Sequence, residues 1–122
     1  MLNKDILTMY NGLMGLASDP EARLPAKVSF AIMRNIRNLS PIVEDIETTR
    51  RQIIVDHGGV PVGDDQMQIQ HDQIDDCQRC FDELGNMDVD IALMKIKFED
   101  IESLNLSIPM AQALEFMLEE GI

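Results

Sequence analysis

From Ile32 onward, apolar residues recur at alternating steps of four and three: Ile32, Ile36, Leu39, Val43, Ile46, then Arg50, Ile53 and His57. That spacing keeps one seam of a helix turned toward a partner, as in coiled coils. Ile42, Ile54 and Val55 widen the stripe, which favours a globular helix pair or small bundle over an isolated two-stranded zipper. Residues 24–57 are therefore expected to form the longest helix, with Pro25 tolerated in its first turn because the N–H it lacks would be unpaired there anyway. Pro41 lies inside the run, where a proline removes a hydrogen bond and crowds the preceding turn. The expectation is a kink near Ile36 to Ser40, or two helices with Ser40 capping the second. Asp56-His57-Gly58-Gly59 ends the run, and Gly58 suits the left-handed residue that follows a last helical turn.

Three further helices are expected. Residues 1–18 carry Leu2, Ile6, Met9 or Tyr10, Leu13 and Leu16 at helical spacing, with Asn3 as a candidate cap. Gly12 and Gly15 weaken this helix by about 1 kcal/mol each relative to Ala, so it needs tertiary support. Residues 72–84 place Ile74, Cys77, Phe81 and Leu84 on one face, closed by Gly85-Asn86. Residues 107–120 begin with Ser107-Ile108-Pro109, a capped start carrying Met110, Leu114, Met117 and Leu118. Between these helices, 59–65 reads as a loop and Gln66 to Gln70 alternates like a short strand. Val89, Ile91, Leu93 and then Met94, Ile96, Phe98 also alternate, with a slip of phase between Leu93 and Met94, as in one bulged strand or two short ones, and residues 66–70 are the candidate pairing partner. The fold class expected is mainly α: one domain over 1–122, with the long, kinked helix packed as a helical hairpin or small bundle beside a minor two-stranded β element.

Composition sets the core and the compartment. Apolar residues make up 45% of the 122, yet only five are aromatic while nine are Met, so aliphatic side chains and adaptable Met must fill the interior. No run approaches the ~20 apolar residues that span a bilayer, and Asp5 close behind Lys4 does not read as a signal peptide. Two cysteines are too few for a disulfide scaffold. The expected setting is the cytoplasm, with no membrane partner.

The net charge of -12 is unevenly spread. Residues 23–51 carry six basic against three acidic side chains, whereas 52–122 carry three basic against sixteen acidic. The imbalance either serves solubility alone or makes two complementary surfaces that steer partner choice and register, within one molecule or between copies. Asp72, Asp75, Asp76, Asp82 and Glu83 are the densest acidic group and read as an acidic surface, either a solvated helix face or a mimic of a phosphate backbone. The calcium-loop order with its central Gly is absent. Arg34, Arg37, Arg50 and Arg51, with Asn35 and Asn38, could meet phosphates, but the overall charge repels a polyanion and no aromatic platform accompanies them. No nucleic-acid partner is expected. Arg50 occupies a seam position, where it is expected to pair with an acid of the second helix and set register.

Cys77-Gln78-Arg79-Cys80 with His57 and His71 supplies on paper four ligands for a tetrahedral zinc. A single CxxC inside a helix, without a second ligand pair at finger-like spacing, is more often a pair of small hydrophobes, so neither metal nor cofactor is expected. No phosphate loop, nucleophile motif or Ser-His-Asp order is visible, and no catalytic residue is expected.

Leu24-Pro25-Ala26-Lys27-Val28-Ser29-Phe30, then Arg34-Asn35, Leu39 through Glu47, and Arg50-Arg51 to Ile53-Ile54, is similar to the opening of small proteins encoded in tailed-bacteriophage and prophage genomes. Phe81-Asp82-Glu83-Leu84, Val89-Asp90-Ile91, Ile96 to Leu106 and the closing Ser107-Ile108-Pro109 helix follow the same pattern, so the likeness covers about residues 22 to 119. Pro41 and the CxxC depart from it. The resemblance implies a phage-encoded, non-catalytic protein acting in a bacterial host cell or in the virion. Its partner would be a phage structural protein, or a second copy, met through the interaction seam Ile32, Ile36, Leu39, Val43, Ile46, Arg50 and Ile53. The alternative is an inhibitor of a host defence enzyme, anti-CRISPR-like or a nucleic-acid mimic, acting through the acidic surface.

Overall fold

The computed structural model describes residues 1–20, 23–61 and 67–119. Four helices pack around one core: α1 (Asn3–Ser18), α2 (Ala26–Asp56), α3 (Ile74–Gly85) and α4 (Ile108–Glu115). The centre is α1, which packs against the other three, most extensively against α4 and α2. Its spacing of three and four sends Ile6, Met9, Leu13 and Leu16 into full burial. Full burial of such side chains is worth about 1.5–3 kcal/mol each, which outweighs the ~1 kcal/mol cost of each helix glycine. Gly12 also has a structural use. A Cβ placed on it would lie 2.4 Å from the Ala113 Cβ, so the missing side chain is what lets α1 and α4 approach. Nothing lies within 4 Å of a Cβ at Gly15.

Asn3 does not cap α1. Leu2 holds the cap position without a side-chain bond, while Asn3 is buried and its Nδ2 donates to the Leu84 carbonyl of α3 at 2.9 Å. Its Oδ1 is buried without a hydrogen-bond partner.

The long helix α2 runs unbroken through Pro41, so Ser40 does not cap a second helix. Pro41 cannot donate to the Arg37 carbonyl, but Arg37, Ser40 and Pro41 are all exposed, and water can satisfy that oxygen. The helix stops where its sequence requires. Gly58 takes φ +74°, its N–H donates to Val55 O at 3.0 Å, and the Gly59 N–H donates to Ile54 O at 2.8 Å. This is the Schellman arrangement, in which a left-handed glycine lets two donors turn back onto the last carbonyls.

The segment between α3 and α4 is extended but joins no sheet. Val89, Ile91 and Leu93 are half-buried and Ile96 is fully buried, while Met94 and Phe98 are exposed. Inward residues thus change phase after Leu93. The cause is Asn35 of α2, which takes both backbone groups of Met94: Oδ1 accepts from the Met94 N–H at 2.8 Å and Nδ2 donates to its carbonyl at 3.0 Å. Elsewhere the segment is fastened at Val89, whose N–H donates to Met1 O at 2.8 Å and whose carbonyl accepts from the Met1 amino group at 3.0 Å, and at Ile96, by bonds to Met117 O and from the Glu119 N–H, both 2.8 Å. Among the described residues the expected pairing of this segment with 66–70 does not form, because Met1, α2 and residues 117 and 119 take its backbone groups. The only two-residue ladder among the described residues joins β1 (Val60–Pro61) to β2 (Met67–Gln68), after the end of α2.

Short 3-10 turns at His71–Gln73 and Phe98–Asp100 lead into α3 and toward α4. Ser107 caps α4, its Oγ accepting from the Met110 N–H at 3.4 Å, and Pro109 occupies the first turn. α4 ends at Glu115, short of the expected 120. The middle of the 59–65 loop, Gln66 and residue 120 lie outside the described residues. No helix among the described residues is long and apolar enough to cross a membrane.

Candidate functional site

Polar chemistry converges where the end of α2 meets α3. The Schellman turn fixes the backbone of His57, and its imidazole folds back so that Nδ1 donates to the Ile53 carbonyl at 2.7 Å. That leaves Nε2 pointing away from α2, where it meets Asp76 Oδ2 of α3 at 2.7 Å. Only 10% of the His57 side chain is exposed. On the other side of Asp76, one turn along α3, Arg79 binds Oδ1. Cys80, a further residue on, shares the face of Asp76, because positions four apart on a helix are neighbours. The ligand atoms of His57, Asp76 and Cys80 all lie within 4.8 Å of one another.

The pair is electrostatically matched. The Ile53 carbonyl and then the Asp76 carboxylate raise the His57 pKa above the ordinary imidazole value, because both bonds favour a ring that donates from both nitrogens. The negative end of the 31-residue helix α2 acts in the same direction. Asp76 is correspondingly held below the usual carboxylate range, first by its bond to His57 and then by the Arg79 charge. Burial pushes the Cys77 thiol up, and the neighbouring Cys80 and Asp76 add to that shift. Cys77 is therefore a protonated core thiol at neutral pH, a poor ligand and a poor nucleophile.

The four zinc candidates thus separate. Cys77 faces the core, His57 and Cys80 come together, and His71, exposed in the turn before α3, is not among the groups of converging ligands. Asp76 replaces the missing partners. Sequence reasoning assigned it only to the acidic surface, although its i,i+4 spacing to Cys80 was a readable signal once Cys77 was placed on the apolar stripe with Ile74, Phe81 and Leu84.

The interaction seam lies inside the chain. Ile32, Leu39 and Ile46 are buried in the core cluster with the α1 stripe, Ile36, Val43 and Ile53 are half-buried, and only Arg50 is exposed. Arg50 does not pair with an acid of α3. Its guanidinium lies 5.5 Å from the centre of the Phe81 ring and its ion pair is with Glu47 of its own helix at 3.9 Å. Asn35, grouped with the arginines as a phosphate contact, is fully buried on Met94 and out of reach. Arg34, Arg37, Arg51 and Asn38 remain exposed.

Of the acidic group, Asp72, Asp75, Asp82 and Glu83 are exposed along α3 and the turn before it, with Asp82 accepting from Gln78 at 3.0 Å. Asp76 is spent on His57 and Arg79. The outer side of α2 carries a second apolar row that the seam pattern overlooked: Phe30 and Met33, 56% and 55% exposed, followed by Arg37 and Pro41 at steps of four. Met33, Ile36, Arg37, Ser40, Pro41 and Glu44 line a shallow groove of about 500 Å³ there. Comparison with family models, with curated proteins and with solved structures finds no match to the chain.

Proposed function

We propose that this chain is a non-catalytic assembly protein that works by packing against protein, and that its first partner is a second copy of itself. The observation that carries this reading is the outer row of α2. Phe30 and Met33 leave large apolar surfaces in water beside the exposed charges of Arg34 and Arg37. A complementary surface is on the same chain. α3 presents Ile74, 47% exposed, with Asp75, Asp82 and Glu83 exposed further along. Apolar contact supplies affinity while opposite charges set orientation. The two surfaces differ, so one copy would offer α2 to the α3 of the next, a head-to-tail contact that extends into rings or filaments. In the tailed bacteriophage that the sequence resemblance suggests, such a protein would serve virion assembly as a structural accessory.

Sedimentation velocity tests this. The chain should form concentration-dependent oligomers, and both Phe30→Asp and the pair Asp75→Lys/Glu83→Lys should be monomeric alone. Mixed together, those two variants should restore a dimer, because each retains the face the other has lost. A parent chain that stays monomeric at every concentration overturns the reading.

The second reading is inhibition of a host defence enzyme through the acidic face, favoured by the unbroken exposure of Asp72, Asp75, Asp82 and Glu83. A basic enzyme would then be bound by a single copy, with affinity falling steeply as salt rises, and Phe30→Asp would leave that binding intact. Affinity purification from infected cells separates the two, by recovery of capsid or tail components or of a basic host enzyme.

A further inference from the structure

His57, Asp76 and Cys80 bring an imidazole nitrogen, a carboxylate oxygen and a thiol sulfur to within 4.8 Å of one another, from the end of α2 and from α3, 19 residues further on. We propose that these three side chains form a binding site for one zinc-class divalent ion per chain, with a fourth coordination position left open. The donor set selects the ion. Calcium and magnesium take oxygen ligands, whereas nitrogen, oxygen and thiolate sulfur together suit zinc and its borderline neighbours.

The histidine is already disposed as a ligand. Metal-bound imidazoles ordinarily hold their other ring nitrogen on a carbonyl or carboxylate, which fixes the ring's orientation and tautomer. Here Nδ1 is on the Ile53 carbonyl at 2.7 Å, at a turn whose backbone is locked by Gly58, so Nε2 is the nitrogen presented. Asp76 and Cys80 are one turn apart on α3, and Asp76 Oδ2 already faces Nε2 at 2.7 Å. Zinc bonds of about 2.0–2.3 Å place tetrahedral ligands roughly 3–4 Å apart, so the site closes by a shift of about 1 Å, within reach of side-chain rotation. Arg79 would keep the second oxygen of Asp76, as outer partners of ligating carboxylates do. The open fourth position is the arrangement found where zinc meets water or an incoming group and not where it only braces a fold.

Cobalt(II) is the probe, added to the reduced, metal-free chain. The expected result is saturation at one ion per chain with a thiolate-to-cobalt charge-transfer band in the near ultraviolet and the strong visible bands of a four-coordinate ion. Zinc should displace the cobalt and magnesium should not. Cys80→Ser should abolish the charge-transfer band, and His57→Gln and Asp76→Asn should weaken binding at least about tenfold. Cys77→Ser and His71→Gln should bind as the parent does. Circular dichroism reports whether each variant keeps its helices, and Cys80→Ser alone decides the matter if His57→Gln unfolds. Absence of the band in the parent chain overturns the proposal, as does a band that survives Cys80→Ser and vanishes in Cys77→Ser.

Discussion

Replacing Gly12 and Gly15 by Ala, one at a time, should move stability in opposite directions although both glycines lie in α1, three residues apart. The intrinsic gain is the same at each position: Ala is better than Gly in a helix interior by about 0.8–1.0 kcal/mol. At Gly15 the new methyl meets nothing within 4 Å, so Gly15→Ala should stabilise the chain by most of that amount. At Gly12 the methyl would lie 2.4 Å from the Ala113 Cβ and 3.5 Å from the Ala113 Cα. Carbon atoms rest about 3.5–4.0 Å apart, and Ala113 has no flexible end to move, so α1 and α4 must separate by roughly 1 Å. Over-packing of this kind costs about 1–3 kcal/mol and here also loosens Leu114 and Met117, both fully buried. Gly12→Ala should therefore be destabilising by about 1–2 kcal/mol net.

Urea unfolding followed by circular dichroism reads both changes as shifts in midpoint at constant slope. In thermal unfolding each kcal/mol corresponds to about 3–6 °C for a chain of this size. Ala113→Gly supplies the control. Alone it should cost about 1 kcal/mol of helix propensity, yet by removing the methyl in the way it should make Gly12→Ala stabilising in that background, so that the double variant lies close to the parent. The close approach of α1 and α4 is refuted if Gly12→Ala raises the midpoint as much as Gly15→Ala does.

Four further outcomes follow from single contacts. Asn35→Ala should destabilise by about 2–3 kcal/mol and speed hydrogen exchange at the Met94 amide, because it leaves both backbone groups of Met94 without their partner; unchanged exchange there would place the bonds elsewhere. Arg50→Ala should cost about 0.5–1 kcal/mol through loss of the Phe81 contact, against less than about 0.5 for the exposed Arg51→Ala, as read from paired urea midpoints. Gly58→Ala should cost about 1 kcal/mol, since φ +74° is a left-handed conformation that a Cβ disfavours, and equal midpoints for the two chains would count against the Schellman turn. Asp100 is held below the usual carboxylate range first by the Lys97 N–H and then by Lys27, so its contribution is present above the unfolded value near pH 4 and is lost as pH falls through the lowered folded value. The stability gap between the parent and Asp100→Asn should accordingly be flat at neutral pH and shrink only below about pH 4; a gap independent of pH down to 2 would refute the assignment.

Periodicity carried the helices, because a residue's direction on a helix is a local property. The buried stripe of α1, the seam of α2 and the Gly58 stop all follow from spacing and from one residue that tolerates positive φ. The extended segment did not follow, although its phase slip was visible at Leu93-Met94. An alternating pattern shows which way side chains point but not what satisfies the backbone between them. Asn35 supplied that partner from 59 residues away, and a lone polar residue inside an apolar stripe was the available sign. The CxxC misled for a related reason. It draws attention to two cysteines one turn apart, yet helix rotation sends Cys77 into the core and leaves Cys80 beside Asp76.

The seam itself shows what spacing cannot decide. A stripe at four-three intervals must be covered, but by the same chain or by another is a question of which helices are at hand. Here α1, with two glycines and no strong caps, is a weak helix alone and finds its stability by filling that seam and packing against α4. Once Ile32, Leu39 and Ile46 are used in this way, they cannot also receive a partner unless α1 leaves, at the cost of four fully buried side chains, about 6–12 kcal/mol of apolar burial. That is comparable to the whole stability of an ordinary domain. Association through the inner seam would therefore require unfolding, whereas association through Phe30 and Met33 requires none. Substitutions at the two rows separate these routes: Phe30→Asp should abolish oligomers and unfold at the midpoint of the parent diluted to monomer, while Leu39→Ala should destabilise the chain by about 2–5 kcal/mol and leave the oligomers of the remaining folded chain intact.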